Sequence, residues 1–111
     1  MTLGAKQRKF SKMLAELILW IYEQGYEVTL GDAFRDPRLH GAVGEKKGYG
    51  HPKSCHKIRL ACDLNLFKEG VYLSSTEDHR PIGEHWEAMG GSWGGRFQDG
   101  NHYSLEHEGM R

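Results

Sequence analysis

Residues 60–67 alternate in a way that admits one local structure. Leu60, Cys62, Leu64 and Leu66 fall on one side at period two, and Ala61, Asp63, Asn65 and Phe67 on the other. Successive strand side chains point to opposite faces, so the run predicts a strand with one strongly apolar face. Asp63 is expected on the opposite face. An apolar helical stripe is available to cover the leucines. Over residues 5–24, Phe10, Leu14, Leu17, Ile18 and Ile21 recur at the spacing of one helix face, and Gly25 follows as a stop.

The rest of the chain extends this pattern. Residues 26–34 read as a first strand. Residues 71–73, after Lys68-Glu69-Gly70, read as the return arm of a hairpin. Residues 80–89 read as a second helix, with Ile82, Trp86 and Met89 on one face and Pro81 in its first turn. Residues 102–105 read as a closing strand. Residues 36–53 hold four glycines and two prolines, so they read as loop with one short helix, and a loop of that length is a candidate wall for a substrate. The expectation is a small α+β domain spanning residues 1–111, an antiparallel sheet with helices packed on one side.

Composition narrows the function classes. A chain of 111 residues buries one modest core. Fifteen basic and fifteen acidic residues balance to a net charge of zero, which disfavours a nucleic-acid partner. The apolar run at 17–21 is too short for stable membrane insertion, and no export signal is visible near Met1. A monomer made in the cytoplasm is expected. Gly48-Tyr49-Gly50 is no phosphate loop, since no Gly-Lys-Ser/Thr follows.

The chemistry concentrates in His56, Asp63, Asp99 and His102. A hydrolytic zinc site needs about that set: three protein ligands, an open position and a nearby base. His56 and Asp63 are too far apart for one helical turn and suit a loop entering a strand. Asp99 and His102 are three apart, between Gly94-Gly95 and the chain's end, beside Gly100. A tight turn there puts one side chain on a metal and the other next to it. Cys55 and Cys62 flank the set and raise a rival, a site with a thiolate ligand. A disulfide between them is disfavoured in a chain without an export signal. His40, His51, His79 and His85 read as surface or supporting residues, and His107 as a tail residue. Lys46, Lys47, Lys53, Lys57 and Arg59 read either as a solvated basic loop or as an attractor of carboxylates.

The motif Ser54-x-His56-x6-Asp63, followed by Trp93-Gly94-Gly95 and Asp99-x-x-His102, resembles the zinc D-alanyl-D-alanine peptidases, above all their phage endolysin members. The resemblance covers the second half of the chain well and the first half loosely. It implies a hedgehog/D,D-peptidase-like fold and one zinc per chain, with His56, Asp63 and His102 as ligands and Asp99 as base. It implies that Arg35, in Gly31-Asp32-Ala33-Phe34-Arg35, holds substrate or oxyanion. Ser54 reads either as a substrate-side or supporting hydrogen-bonding group or as a loop residue that caps its neighbour, and Trp93 as a packing residue that shapes the wall of the substrate pocket. The implied substrate is a peptidoglycan stem peptide, cut at the L-alanyl-D-glutamate bond as first choice and at a D,D bond as second. Action on the cell wall then follows release, with a holin's help if the chain is phage-encoded. One position departs: the family usually has glycine three residues after the first histidine, and Arg59 stands there. Two rival functions are a non-catalytic zinc module of the same fold and a metal-dependent nuclease or nucleic-acid-binding domain. The retained Asp99 argues against the first and the balanced charge against the second.

Overall fold

The Thr2 hydroxyl accepts the Ala5 N–H at 3.1 Å and so starts α1 (Leu3–Glu23) two residues before the expected residue 5. The computed structural model describes residues 1–48 and 50–111; Tyr49, and with it the Gly48-Tyr49-Gly50 reading, lies outside the described residues. After α1 come β1 (Glu27–Leu30), α2 (Pro37–His40), a 3₁₀ turn (Cys55–Ile58), β2 (Ala61–Lys68) and β3 (Val71–Leu73). α3 (Thr76–Ala88), β4 (Ser92–Trp93), a second 3₁₀ turn (Gly94–Phe97) and β5 (His102–Ser104) complete the order.

The alternating run is the centre of the sheet. β1 pairs with one edge of β2, and β3 and β5 pair with successive stretches of its other edge, all antiparallel. β4 lies beyond β5. Leu64 and Leu66 are 1% exposed and share one core with Leu17 and Ile21 from α1 and Ile82 and Trp86 from α3. Each such side chain is worth about 1.5–3 kcal/mol of burial. The helices therefore cover the leucine face, and Asp63, Asn65 and Phe67 stay on the less buried one. The expected α+β architecture is the one observed. Among the described residues no helix is long and apolar enough to cross a membrane.

Several local readings change. The second helix begins at Thr76, not at residue 80. The Ser75 hydroxyl accepts the Asp78 N–H at 3.0 Å, and the Asp78 carboxylate accepts the Ser75 N–H at 3.4 Å, a reciprocal cap. Pro81 is thus inside α3 and leaves the Glu77 carbonyl without a helical donor, which is tolerable because Glu77 is exposed. β1 stops at Leu30, but its backbone stays against β2: the Gly31 N–H donates to the Asp63 carbonyl at 2.8 Å, and the Asp63 N–H to the Asp32 carbonyl at 2.7 Å.

His79 is not a surface residue. It is buried, with Nδ1 2.8 Å from the Tyr103 hydroxyl, and burial holds its pKa below the usual value. Lys57 is not part of a solvated loop either. Its buried ammonium donates to the carbonyls of His40 (2.9 Å), Ala42 (3.1 Å) and Glu45, folding the loop at 40–45 onto the turn that carries His56.

Candidate metal centre

His56 stands in the first 3₁₀ turn, whose start is capped by Ser54: the Ser54 hydroxyl accepts the His56 N–H at 3.2 Å. The ring is 1% exposed in residue terms and its Nδ1 lies 2.8 Å from the Ala33 carbonyl oxygen. A carbonyl only accepts, so Nδ1 carries the proton and Nε2 presents a lone pair. This second hydrogen bond is the usual way a metal-ligating imidazole is oriented.

Asp63 and His102 come from facing strands. They are direct partners across β2 and β5. The Leu64 N–H donates to the Asn101 carbonyl at 2.9 Å, which makes the adjoining Asp63/His102 pair a non-hydrogen-bonded one, the kind whose side chains approach most closely. Three donor atoms converge. His56 Nε2 is 3.1 Å from Asp63 Oδ1 and 3.2 Å from His102 Nδ1, and His102 Nδ1 is 3.5 Å from Asp63 Oδ1. Two donors each about 2.0–2.1 Å from a tetrahedral zinc stand roughly 3.3–3.4 Å apart, so the spacing fits one such ion. Burial pushes the Asp63 carboxyl up, but the His102 and His56 rings beside it outweigh that, and the pKa falls to about 2. The residue supplies a carboxylate at any ordinary pH. If Nδ1 of His102 is the donor, its proton sits on Nε2, which is buried without a hydrogen-bond partner among the described residues.

Asp99 stands beside this group and outside it. Its side chain is 51% exposed, and Oδ2 lies 4.0 Å from His102 Nδ1. Its backbone builds the turn: the Asp99 N–H donates to the Gly94 carbonyl at 2.9 Å and the His102 N–H to the Asp99 carbonyl at 3.1 Å. Gly94 is required for that closeness, because a Cβ there would overlap the Asp99 carbonyl oxygen and the His102 Cβ. Asp99 thus sets an exposed carboxylate next to the three donors without joining them.

The remaining predicted residues form the border. Arg35 Nη1 donates to the Ser54 hydroxyl at 3.0 Å, its Nε lies 3.7 Å from an Asp32 carboxylate oxygen, and its N–H donates to the His56 carbonyl at 3.0 Å. Gly50, at φ +95°, passes directly over the guanidinium: a Cβ there would lie 2.6 Å from Nη1. Ser54 therefore links Arg35 to the turn of His56. Trp93 is 1% exposed and donates its indole N–H to the Gly100 carbonyl at 2.7 Å. It supports the 94–100 turn from beneath and presents no surface to a substrate.

Neither thiol joins the donors. Among the described residues the clustered metal-type donors are His56, Asp63 and His102, all within 4.8 Å of one another. Cys55 Sγ faces the Leu105 carbonyl and Cys62 Sγ the carbonyl of Asp63, both at 3.5 Å, and both cysteines are free. Burial pushes their pKa values up to about 12 and about 11. Arg59 ends the first 3₁₀ turn at φ 57°, ψ 35°, the left-handed region that favours glycine, and its guanidinium lies 3.9 Å from the centre of the Phe34 ring. The resemblance thus expects glycine at a position whose backbone wants one.

Two participants were not legible in advance. Ala33 acts through a backbone oxygen, which no side-chain pattern betrays. Phe97 packs edge-on against His102, ring centres 5.7 Å apart. Its place after the Trp93-Gly94-Gly95 run and two before Asp99 was the available signal.

A family model described as D-alanyl-D-alanine carboxypeptidase matches residues 47–105. The matched stretch holds Ser54, His56, Asp63, Trp93, Asp99 and His102, while Arg35 lies outside it. No curated protein matches the chain.

Proposed function

The chain belongs to the D-alanyl-D-alanine carboxypeptidase family of metallopeptidases, and on that premise we propose that it is a zinc peptidase of bacterial peptidoglycan stem peptides. The L-alanyl-D-glutamate bond is the first choice, in keeping with an endolysin that acts on the wall after release. A D,D bond is the second, and the family's description favours it. The observation that carries the reading is the convergence of His56 Nε2, Asp63 Oδ1 and His102 Nδ1 with the Asp99 carboxylate 4.0 Å from the last of them.

When bound there, zinc supplies Lewis acidity that activates water and polarises a carbonyl at neutral pH. His56, Asp63 and His102 would hold it, with the Asp99 carboxylate beside them. Asp99 accepts the proton of the attacking water and returns it to the leaving amine, a role that needs a mobile, solvent-reached carboxylate. Ala33 keeps the His56 ring in the orientation and tautomer the ligand role requires. Arg35, steadied by Ser54 and Asp32, contributes positive charge at the edge where oxyanion charge develops.

Digestion of purified cell wall with mass analysis of the released ends tests this. New L-alanine C-termini paired with D-glutamate N-termini are expected, and free D-alanine instead would select the second bond. Zinc-loaded protein that releases no ends from any wall type overturns the proposal.

A further inference from the structure

A cleft of about 330 Å³ opens beside the metal centre. It touches the centre twice. Ser54, which lines it, caps the turn of His56, and Phe97, which also lines it, packs against the His102 ring. Its outer wall is the turn at 107–110, closed by paired backbone bonds of 2.9 Å between His107 and Met110. Lys6 of α1 fastens that wall: its ammonium donates to the Glu106 carbonyl at 3.0 Å and lies 3.3 Å from His107 Nδ1.

The lining is cationic. Lys53 and Arg111 face the cleft, and the Arg111 guanidinium lies 5.6 Å from the Phe97 ring centre. His51 accepts the Lys53 backbone N–H on Nδ1 at 3.0 Å, so its Nε2 carries a proton and adds a donor. Among the described lining residues the acidic side chain is Glu108, which is 84% exposed and lies 4.0 Å from His107 Nε2. A volume of this size suits a small ligand of several residues' chemistry, well beyond the one alanine that a carboxypeptidase releases.

Resting on the peptidase reading, we propose that this cleft receives the leaving side of the substrate. Lys53 and Arg111 there select a leaving segment of more than one residue that bears a free carboxylate. In a stem peptide that group is the α-carboxylate of D-glutamate, free because the chain continues through the γ-carboxyl. Amidation of that carboxylate removes the charge the two cations recognise. Exposed ion pairs of this kind change affinity about two- to fivefold each, hence about tenfold together.

The test is calorimetric titration of zinc-loaded protein with γ-D-glutamyl-L-lysine and with its α-amide. The acid should bind about tenfold more tightly than the amide. The double variant Lys53→Ala/Arg111→Ala should bind both within about twofold, and Lys53→Gln should lose part of the preference. Equal binding of the two peptides by the wild type, or an intact preference in the double variant, overturns the subsite. A preserved acid preference alongside an uncut wall would leave the subsite standing and remove the peptidase reading; a cut wall without the preference would do the reverse.

Discussion

Asp63 Oδ1 and His102 Nδ1 stand 3.5 Å apart because their residues face each other across β2 and β5 as a non-hydrogen-bonded pair. A one-residue slip of either strand would turn one of them to the leucine face. The register that buries Leu64 and Leu66 therefore also brings together two of the three candidate metal donors. His56 is added by a capped turn whose hydrogen bond to Ala33 fixes its ring.

The metal should be held by these three side chains. Purified protein is expected to carry about one zinc per chain, and His56→Ala and His102→Ala to lose it. Metal analysis of all three proteins checks this. Wild-type thermal stability should fall on chelation, since binding energy adds to the folded state. Full zinc retention in both variants is the contrary result.

Asp99 should be separable from the ligands. Its carboxylate is exposed and lies outside the donor triangle. Asp99→Ala is expected to keep zinc and fold while hydrolysis slows by roughly 10²–10⁴-fold, the usual size of a general-base contribution. Paired measurements of metal content and turnover decide it. Wild-type turnover in the variant would make Asp99 a turn residue only.

The buried thiols give a pH dependence. Burial raises Cys55 to about 12 and Cys62 to about 11, from an ordinary value of 9.0. The folded chain therefore keeps these protons where the unfolded chain has lost them. Their contribution to stability is complete below pH 9 and is lost as pH rises through about 11 to 12. At pH 8 neither thiol should react with an aromatic disulfide reagent until the chain unfolds, and two should then appear. Rapid labelling of the native protein would contradict the burial.

Arg59 should tolerate glycine and reject β-branching. A left-handed backbone costs an ordinary residue about 1–2 kcal/mol, and the contact with Phe34 offsets roughly 0.5–1 kcal/mol of it. Arg59→Gly relieves the first and loses the second, so its stability should stay within about 1 kcal/mol of wild type. Arg59→Val keeps the cost, raises it by branching, and should lose about 1–2 kcal/mol or more. Denaturant unfolding distinguishes them. A valine variant as stable as wild type would contradict a left-handed Arg59.

Much of this was readable in the chain, for identifiable reasons. The β2 alternation is unambiguous because one face is buried and the other carries Asp63 and Asn65. The α1 stripe is legible because Leu17 and Ile21 repeat at helical spacing. The start of α3 is harder to see: Thr76 to His79 form a largely polar first turn with no apolar period, and only the Ser75/Asp78 cap marks it. β4 is two residues long and offers no periodicity. At the site, the ligand types were visible because imidazoles and carboxylates must be side chains. The Ala33 carbonyl, the carbonyls around Lys57 and the backbone angle of Arg59 belong to the main chain, and residue identity says little about them. Trp93 looked like a pocket residue from its motif, yet its indole is spent on the Gly100 carbonyl beneath the turn.

X-ray absorption at the zinc edge of the purified protein tests the metal centre most directly. The expected first shell contains only nitrogen and oxygen at about 2.0–2.1 Å, with outer-shell scattering from two imidazoles, as His56, Asp63 and His102 require. A sulfur scatterer at about 2.3 Å would place Cys55 or Cys62 on the metal and contradict the His–Asp–His centre.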